Sequence, residues 1–379
     1  MKRYFQTIAL LAMVSAYLLG CGKQEPDRHS DVRENADVSY DISIIEPTDS
    51  GEATDIQHIT RELGENLSMD AEAVIPEKNE YSTYTLKMVD CAPDRLFGLF
   101  CSEGYGSYTT EERGNYLVYD ETSGKRLVVY EDAIDYSAYD NDSTMQVVEN
   151  LMYYYSEDYP QTEPHDLSFM NVEEMEKKGT EILTQLGVSW EPRLLRCITL
   201  SGQEILDFQE EMLQNSRYTE FEVPPILTEA TDTCYLQFNF AYDGIPLLGF
   251  EEPAAVSYVN SIATRNANAT IMFNADGIQT CTVSYPCTIM QASDPQPILD
   301  LEEAIALLQD KYDLQIIRVP LDFTNIWMEY IPIKQDEEVA LTPYWCFLKI
   351  DKNALDFPNY FGDADRFNSI TGKDLAYGG

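Results

Sequence analysis

Two Asp-Gly pairs lie between runs of alternating apolar residues, and they constrain the fold of this chain more than any other feature. Cys234, Leu236, Phe238, Phe240 and Tyr242 alternate with Gln237, Asn239 and Ala241. Asp243-Gly244 then turns the chain into Ile245-Pro246-Leu247-Leu248-Gly249. Asp276-Gly277 sits in the same way between Ala269–Asn274 and Ile278–Tyr285. Residues that tolerate positive φ between two period-two runs predict hairpins, which pair neighbouring strands antiparallel. A longer loop, Asp120–Arg126, separates Tyr116–Tyr119 from Leu127–Tyr130 and predicts a third hairpin. Tyr81–Val89, Leu314–Pro320, Ile326–Ile333 and Pro343–Ile350 also read as strands, rich in β-branched and aromatic side chains.

Helices are signalled by capping boxes, in which a polar residue precedes a carboxylate by three positions. Asn171 with Glu174 opens a helix with Met175, Ile182, Leu183 and Leu186 on one face, closed by Gly187. Ser201 with Glu204 opens a second, and Asp300 with Glu303 a third. Ser143 is placed to cap a further helix to about Tyr155. Parallel crossover units would need a helix after nearly every strand, and here the strands come in hairpins. The pattern predicts an α+β fold of antiparallel sheets with helices packed on one face, in tandem repeats. The divisions expected are residues 54–165, 166–290 and 291–379.

The first residues address location. Lys2 and Arg3 precede an apolar run from Ile8 to Leu19, which ends in Leu18-Leu19-Gly20-Cys21. A basic end, a short apolar core and a small residue before the cut describe a secretory signal. Cysteine directly after the small residue resembles a bacterial lipoprotein signal, with residues 1–20 removed and Cys21 lipidated, as by palmitate. Residues 21–53 are polar and acidic and read as a flexible tether. The expectation is an extracytoplasmic protein held to the cell membrane by a lipid.

Lys and Arg number 25 against 66 Asp and Glu, a net charge of −41. A field of that sign repels nucleic acid and anionic headgroups, so neither is expected as a partner. Of eight cysteines, seven remain once Cys21 is assigned to lipid. An extracytoplasmic compartment permits disulfides. Cys91 with Cys101, and Cys281 with Cys287, are near enough in sequence to pair across a turn.

Catalytic signals are sparse. His29, His58 and His165 are the three histidines, and HExxH, GxSxG and SxxK are absent. Adjacent acids such as Glu210-Glu211 and Glu251-Glu252 would point to opposite faces of a strand. Asp135, Asp140 and Asp142 form one acidic cluster and Asp363 with Asp365 another, a weak pointer to Ca²⁺ without the spacing of a calcium loop. No other cofactor or metal is expected. Tyr105, Ser107 and Tyr108, in the glycine-rich segment Gly104–Tyr108, and Asp135, Asp140 and Asp142 are the candidate binding residues.

The C-terminal half carries a resemblance. Leu301-Glu302-Glu303-Ala304-Ile305, Glu329-Tyr330-Ile331-Pro332, Leu341-Thr342-Pro343-Tyr344-Trp345 and Asn368-Ser369-Ile370-Thr371-Gly372 follow in order. Residues 170–379 resemble the PepSY-like and YycI-like extracytoplasmic repeats of Gram-positive bacteria. Ser369 stands where those repeats usually have Ala, and residues 191–232 resemble an insertion. The whole chain is similar to uncharacterised lipoproteins of the Firmicutes. The resemblance implies a non-enzymatic module that inhibits, senses or docks onto a partner protein or peptide at the membrane surface. The other classes weighed are a cell-envelope glycan-acting enzyme using paired carboxylates and a solute-binding lipoprotein.

Overall fold

A computed structural model describes residues 55–101, 104–114, 116–122, 124–138, 147–148, 163–214, 226–248, 267–313, 315–335, 338–351 and 363–375. Cys21, Asp140 and Asp142, and nearly all of the helix expected from Ser143, lie outside the described residues. Residues from Ala53 onward cluster as one unit.

The first sheet has seven strands. They are β1 (Asp55–Gly64), β2 (Leu67–Ile75), β4 (Tyr84–Met88), β14 (Cys287–Ala292), β16 (Leu321–Gln335), β17 (Glu338–Asp351) and β18 (Asp363–Asn368). Their order is β1-β2-β16-β17-β4-β14, with β18 also paired to β17. Every pairing is antiparallel except β2 with β16, where Leu67 stands opposite Leu321.

The second sheet has nine strands. β5 (Tyr108–Arg113), β6 (Tyr116–Glu121), β7 (Arg126–Val129) and β8 (Ala133–Ser137) form a meander. β8 pairs with β13 (Gly277–Ser284), which continues through β12 (Asn268–Asn274) to β10 (Thr233–Tyr242). β9 (Glu191–Leu200) and the short β11 (Ile245–Pro246) complete the sheet on β10. A two-stranded ladder joins β3 (Glu80–Tyr81) to β15 (Gln296–Pro297). Asp243 and Gly244 both adopt positive φ, at 53° and 78°, as a primed two-residue turn requires. At the other Asp-Gly pair the turn falls one residue early. Ala275-Asp276 connect the strands, and Gly277 (φ 112°) already pairs with Asn274.

Four helices have both ends among the described residues: α1 (Pro93–Phe100), α2 (Val172–Leu186), α3 (Gly202–Gln214) and α4 (Leu301–Asp313); Val147 and Val148 are also helical. All three capping boxes form. In α2, for example, Glu174 N–H donates to Asn171 Oδ1 at 2.9 Å and Gly187 closes the helix at φ 84°. None of these helices is long and apolar enough to cross a membrane.

The expected fold class is corrected. Of the described residues, 51% lie in strands and 20% in helices, so the fold is β-rich rather than α+β. The helices do not form a layer on one face. On the second sheet, α2 approaches so closely that a Cβ on Gly179 would lie 2.5 Å from Leu236 Cδ1 and 2.8 Å from Phe238 Cζ. Ile198, Leu200 and Met272 instead pack with Ile205 of α3 in a separate cluster. Ile198 is opposite Tyr235 and Cys197 opposite Leu236, so alternation places α2 and α3 on opposite faces. Nor are the sheets tandem copies, since the first sheet collects strands from residues 55–88 and 287–368. Local signals identified hairpins and caps correctly, but sheet membership is set by pairing across hundreds of residues. Residues 191–200, read as part of an insertion, form β9, while 315–320 form neither strand nor helix.

The two sheets share one apolar core. Tyr242 of the second sheet meets Tyr84 and Tyr330 of the first edge-on, at 5.0 and 6.5 Å between ring centroids. Trp190 and Trp345 are buried with their indole N–H groups satisfied, by Tyr285 O at 3.0 Å and Leu299 O at 2.9 Å.

Candidate functional site

The tyrosines of the 104–108 segment lie against α1 rather than standing free. Tyr105 stacks on Phe97 at 5.4 Å, and Tyr108 lies 5.5 Å from the same ring. Both hydroxyls donate to Asp94 Oδ1, at 3.1 and 3.2 Å. Ser107 is exposed, and its carbonyl accepts from Thr122 N–H at 3.1 Å. Asp135 is on β8, where the next residue, Tyr136, packs on Phe97 and Phe100 beneath α1. Alternation therefore turns Asp135 to the other face, where Thr282 Oγ1 donates to it at 3.2 Å. Burial raises its pKa against that hydrogen bond. The structure does not bring Asp135 together with Tyr105, Ser107 and Tyr108.

The acids of the second cluster are engaged. Asp365 on β18 accepts from Lys311 at 2.7 Å, from Lys349 at 3.3 Å and from Tyr312 at 2.6 Å. Among the described residues no three His, Cys, Asp or Glu side chains are placed to hold a metal ion. The four cysteines expected near turns are free thiols. Cys101 Sγ meets Tyr136 OH at 3.2 Å, and Cys287 Sγ meets Met88 Sδ at 3.8 Å. Burial raises the thiol pKa of Cys91 to about 11 and of Cys287 to about 12.

One arrangement has the members of a nucleophile, base and acid. His165 Nδ1 is 3.2 Å from Thr199 Oγ1, and its Nε2 is 3.3 Å from Glu204 Oε2. Thr199 is 2% exposed and also accepts the backbone N–H of His165 at 2.8 Å. A hydroxyl so enclosed has no approach to a substrate carbonyl. The trio ties the segment before α2 to β9 and to the start of α3.

A shallow, open concave site lies elsewhere among the described residues, at the outer end of the first sheet. A groove of about 560 Å³ runs where β4 and β14 meet α1 and the end of α2. Met88 and Met290 give it apolar surface, Lys87 and Arg95 give it basic groups, and Asp90 gives it an acid. α2 has no basic residue in its last turn, and Arg95 supplies the cation from α1. Its guanidinium donates to Leu186 O at 2.6 Å, Gln185 O at 3.0 Å and Asp90 O at 2.7 Å. Carbonyls at a helix end have no partner within the helix, and a cation there is favoured by the dipole. One side chain thus fixes the groove wall.

β14 is the outer strand of its sheet. Ser189 occupies the first part of its edge, donating its N–H to Cys287 O and accepting Ile289 N–H on Oγ, each at 3.0 Å. Beyond Ser189, Met290, Gln291 and Ala292 are exposed, Met290 by 62%. Ser293 N–H donates inward to Thr83 O at 2.9 Å, so alternation directs the Ala292 N–H outward. Nothing in residues 287–292 taken alone marked this edge, because which strand ends a sheet depends on distant partners.

No protein-family model and no curated protein sequence matches this chain. The structure is similar to the crystal structure of an uncharacterised protein from Eubacterium rectale ATCC 33656, with a TM-score of 0.53 at 15% identity. The match covers 84% of this chain and 93% of that one. At that identity the likeness concerns the fold alone.

Proposed function

We propose that this protein is a lipid-anchored, extracytoplasmic and non-catalytic binding module that takes an extended segment of a cell-envelope protein or peptide along the outer edge of β14. The observation that carries this reading is the edge itself. An outer strand with an outward N–H at Ala292 runs beside a groove with apolar surface from Met88 and Met290. Strand addition uses those elements: backbone hydrogen bonds give affinity, and a neighbouring groove for side chains gives specificity. A volume of about 560 Å³ falls within the range of pockets that hold small molecules or a few side chains.

Location rests on the signal-like residues 1–20 and on Cys21, and the strongly acidic chain steers basic partner surfaces toward it. The resemblance of residues 170–379 to extracytoplasmic regulatory repeats supports the same reading. Crosslinking in the native membrane, then purification of the Cys21-lipidated protein and mass spectrometry, tests it. A single dominant cell-envelope partner is expected. Failure to recover any partner above background, or recovery of the protein in the cytoplasm without lipid, contradicts the reading.

A further inference from the structure

Cys197 and Cys234 stand apart from the other described cysteines because each thiol acts on the other across two neighbouring strands. Strand register explains the contact. On β9 and β10, Cys197 is opposite Leu236 and Cys234 is opposite Thr199, so the two cysteines are diagonal neighbours on one face. That face lies under α2, where Gly179 lets the helix backbone descend onto Leu236 and Phe238. Cys234 is fully buried, whereas Cys197 is partly exposed on β9, which among the described residues pairs with β10 alone. The charged groups of α2 that act on the pair are Glu176, which acts on both thiols, and Lys178, which acts on Cys234. Lys178 Nζ also sits 5.0 Å above the Phe273 ring.

We propose that Cys197 and Cys234 form a reversible disulfide, with Cys197 as the accessible attacking thiol and Cys234 as the buried thiol that resolves the intermediate. The oxidant is a low-molecular-weight disulfide. Cys197, as thiolate, attacks one sulfur of that disulfide, and the first small thiol leaves and takes up a proton. Cys234 then loses its proton and attacks Cys197 Sγ in the mixed disulfide, expelling the second small thiol. Two protein thiols are oxidised to one disulfide, and one small disulfide is reduced to two thiols. The Cys234 thiol lowers the Cys197 pKa against the opposing effect of burial, which favours Cys197 as the attacking group. The bond would lock edge strand β9 to β10.

The full chain, reduced and freed of reductant, is treated with oxidised glutathione under native conditions, acid-quenched, alkylated in denaturant and peptide-mapped. The expected product is one intramolecular crosslink joining Cys197 to Cys234. Cys91, Cys101, Cys281, Cys287 and Cys346 are expected to return as alkylated thiols. Cys234→Ser is expected to accumulate glutathione on Cys197, and Cys197→Ser to take up none on Cys234. Recovery of both cysteines as alkylated thiols in the unaltered chain overturns the proposal. So does glutathione that stays on Cys197 without closure, or a Cys91–Cys287 crosslink in its place. The map of the unaltered chain is decisive even where a variant fails to fold.

Discussion

Asp365 and Asp135 are both largely buried acids on strands, and both belong to acidic clusters in the sequence, yet their surroundings move them in opposite directions. Asp365 sits in the first sheet. Burial there works to raise its pKa, but Lys349 and Lys311 overcome burial and hold it below the ordinary 3.8. Asp135 sits in the second sheet, where burial prevails over the Thr282 hydroxyl and the pKa rises above 3.8. Partners, rather than burial or local acid density, decide whether a buried carboxylate holds a fold together or weighs on it. The contrast extends to the regions around them. β18 is held by buried charges: Arg366 Nε donates to Glu329 Oε1 at 2.8 Å with both side chains under 5% exposed, and Lys311 bridges Asp365 and Asp374 at 2.7 and 2.8 Å. The face of the second sheet under α2 is held by apolar contact, as at Leu236 and Phe238 beneath Gly179.

The sharpest way to break this contrast is Arg366→Ala. It leaves Glu329 buried and without that partner, and a loss of about 3–5 kcal/mol in urea unfolding is expected. Pairing Arg366→Met with Glu329→Leu should recover most of that loss. A double variant no better than the single one would show that packing, not charge, holds β18.

Asp365→Asn comes next, at about 3 kcal/mol, because Lys311 and Lys349 both lose their ion pair with Asp365, while Lys311 keeps Asp374. The pH dependence follows from the shift. With its folded pKa depressed, Asp365 contributes stability that is present above its unfolded value and is lost as pH falls through the folded value, below 3.8. Lys311 is raised above 10.5, since Asp365 and Asp374 outweigh burial, so its contribution is lost only as pH rises past that value. Unfolding measured from pH 2 to 6 should fall more steeply toward acid in the unaltered protein than in Asp365→Asn. Equal slopes would remove Asp365 from the account.

Gly179→Val probes the apolar region. The added side chain collides with Leu236 and Phe238, and a cost of about 1–3 kcal/mol is expected, little changed by salt. The smallest effect has the opposite sign. Asp135→Asn removes a charge that burial disfavours, so stability at neutral pH should rise by up to about 1 kcal/mol. A loss there would contradict a net cost from burying the Asp135 charge.

Much of the local structure was legible in the sequence. Asn171–Glu174, Ser201–Glu204 and Asp300–Glu303 act within one helical turn, so their chemistry is complete in a short window. The hairpin at Asp243-Gly244 is local in the same sense. What was not legible is non-local. β2 meets β16 in parallel through Leu67 and Leu321, and Gly64-Glu65-Asn66, where Asn66 takes φ 63°, closes a β1–β2 hairpin that no Asp-Gly pair announces. The same reason hid the contact of Cys197 with Cys234, while sequence proximity drew attention to Cys91 with Cys101. The groove beside β14 draws on α1, the end of α2 and two strands far apart in the chain, so no window contains it.

A photocrosslinker placed at Met290 in the native membrane tests most directly the proposal that the β14 edge receives a partner strand. Crosslinking to one dominant polypeptide is predicted, with a fall of about tenfold on adding Ala292→Pro, which removes the outward N–H and leaves the inward ladder to β4 in place. The same probe at Thr110 on the β5 edge should give no such product. Equal yields with and without Ala292→Pro, or equal yields from Met290 and Thr110, would contradict strand addition at β14.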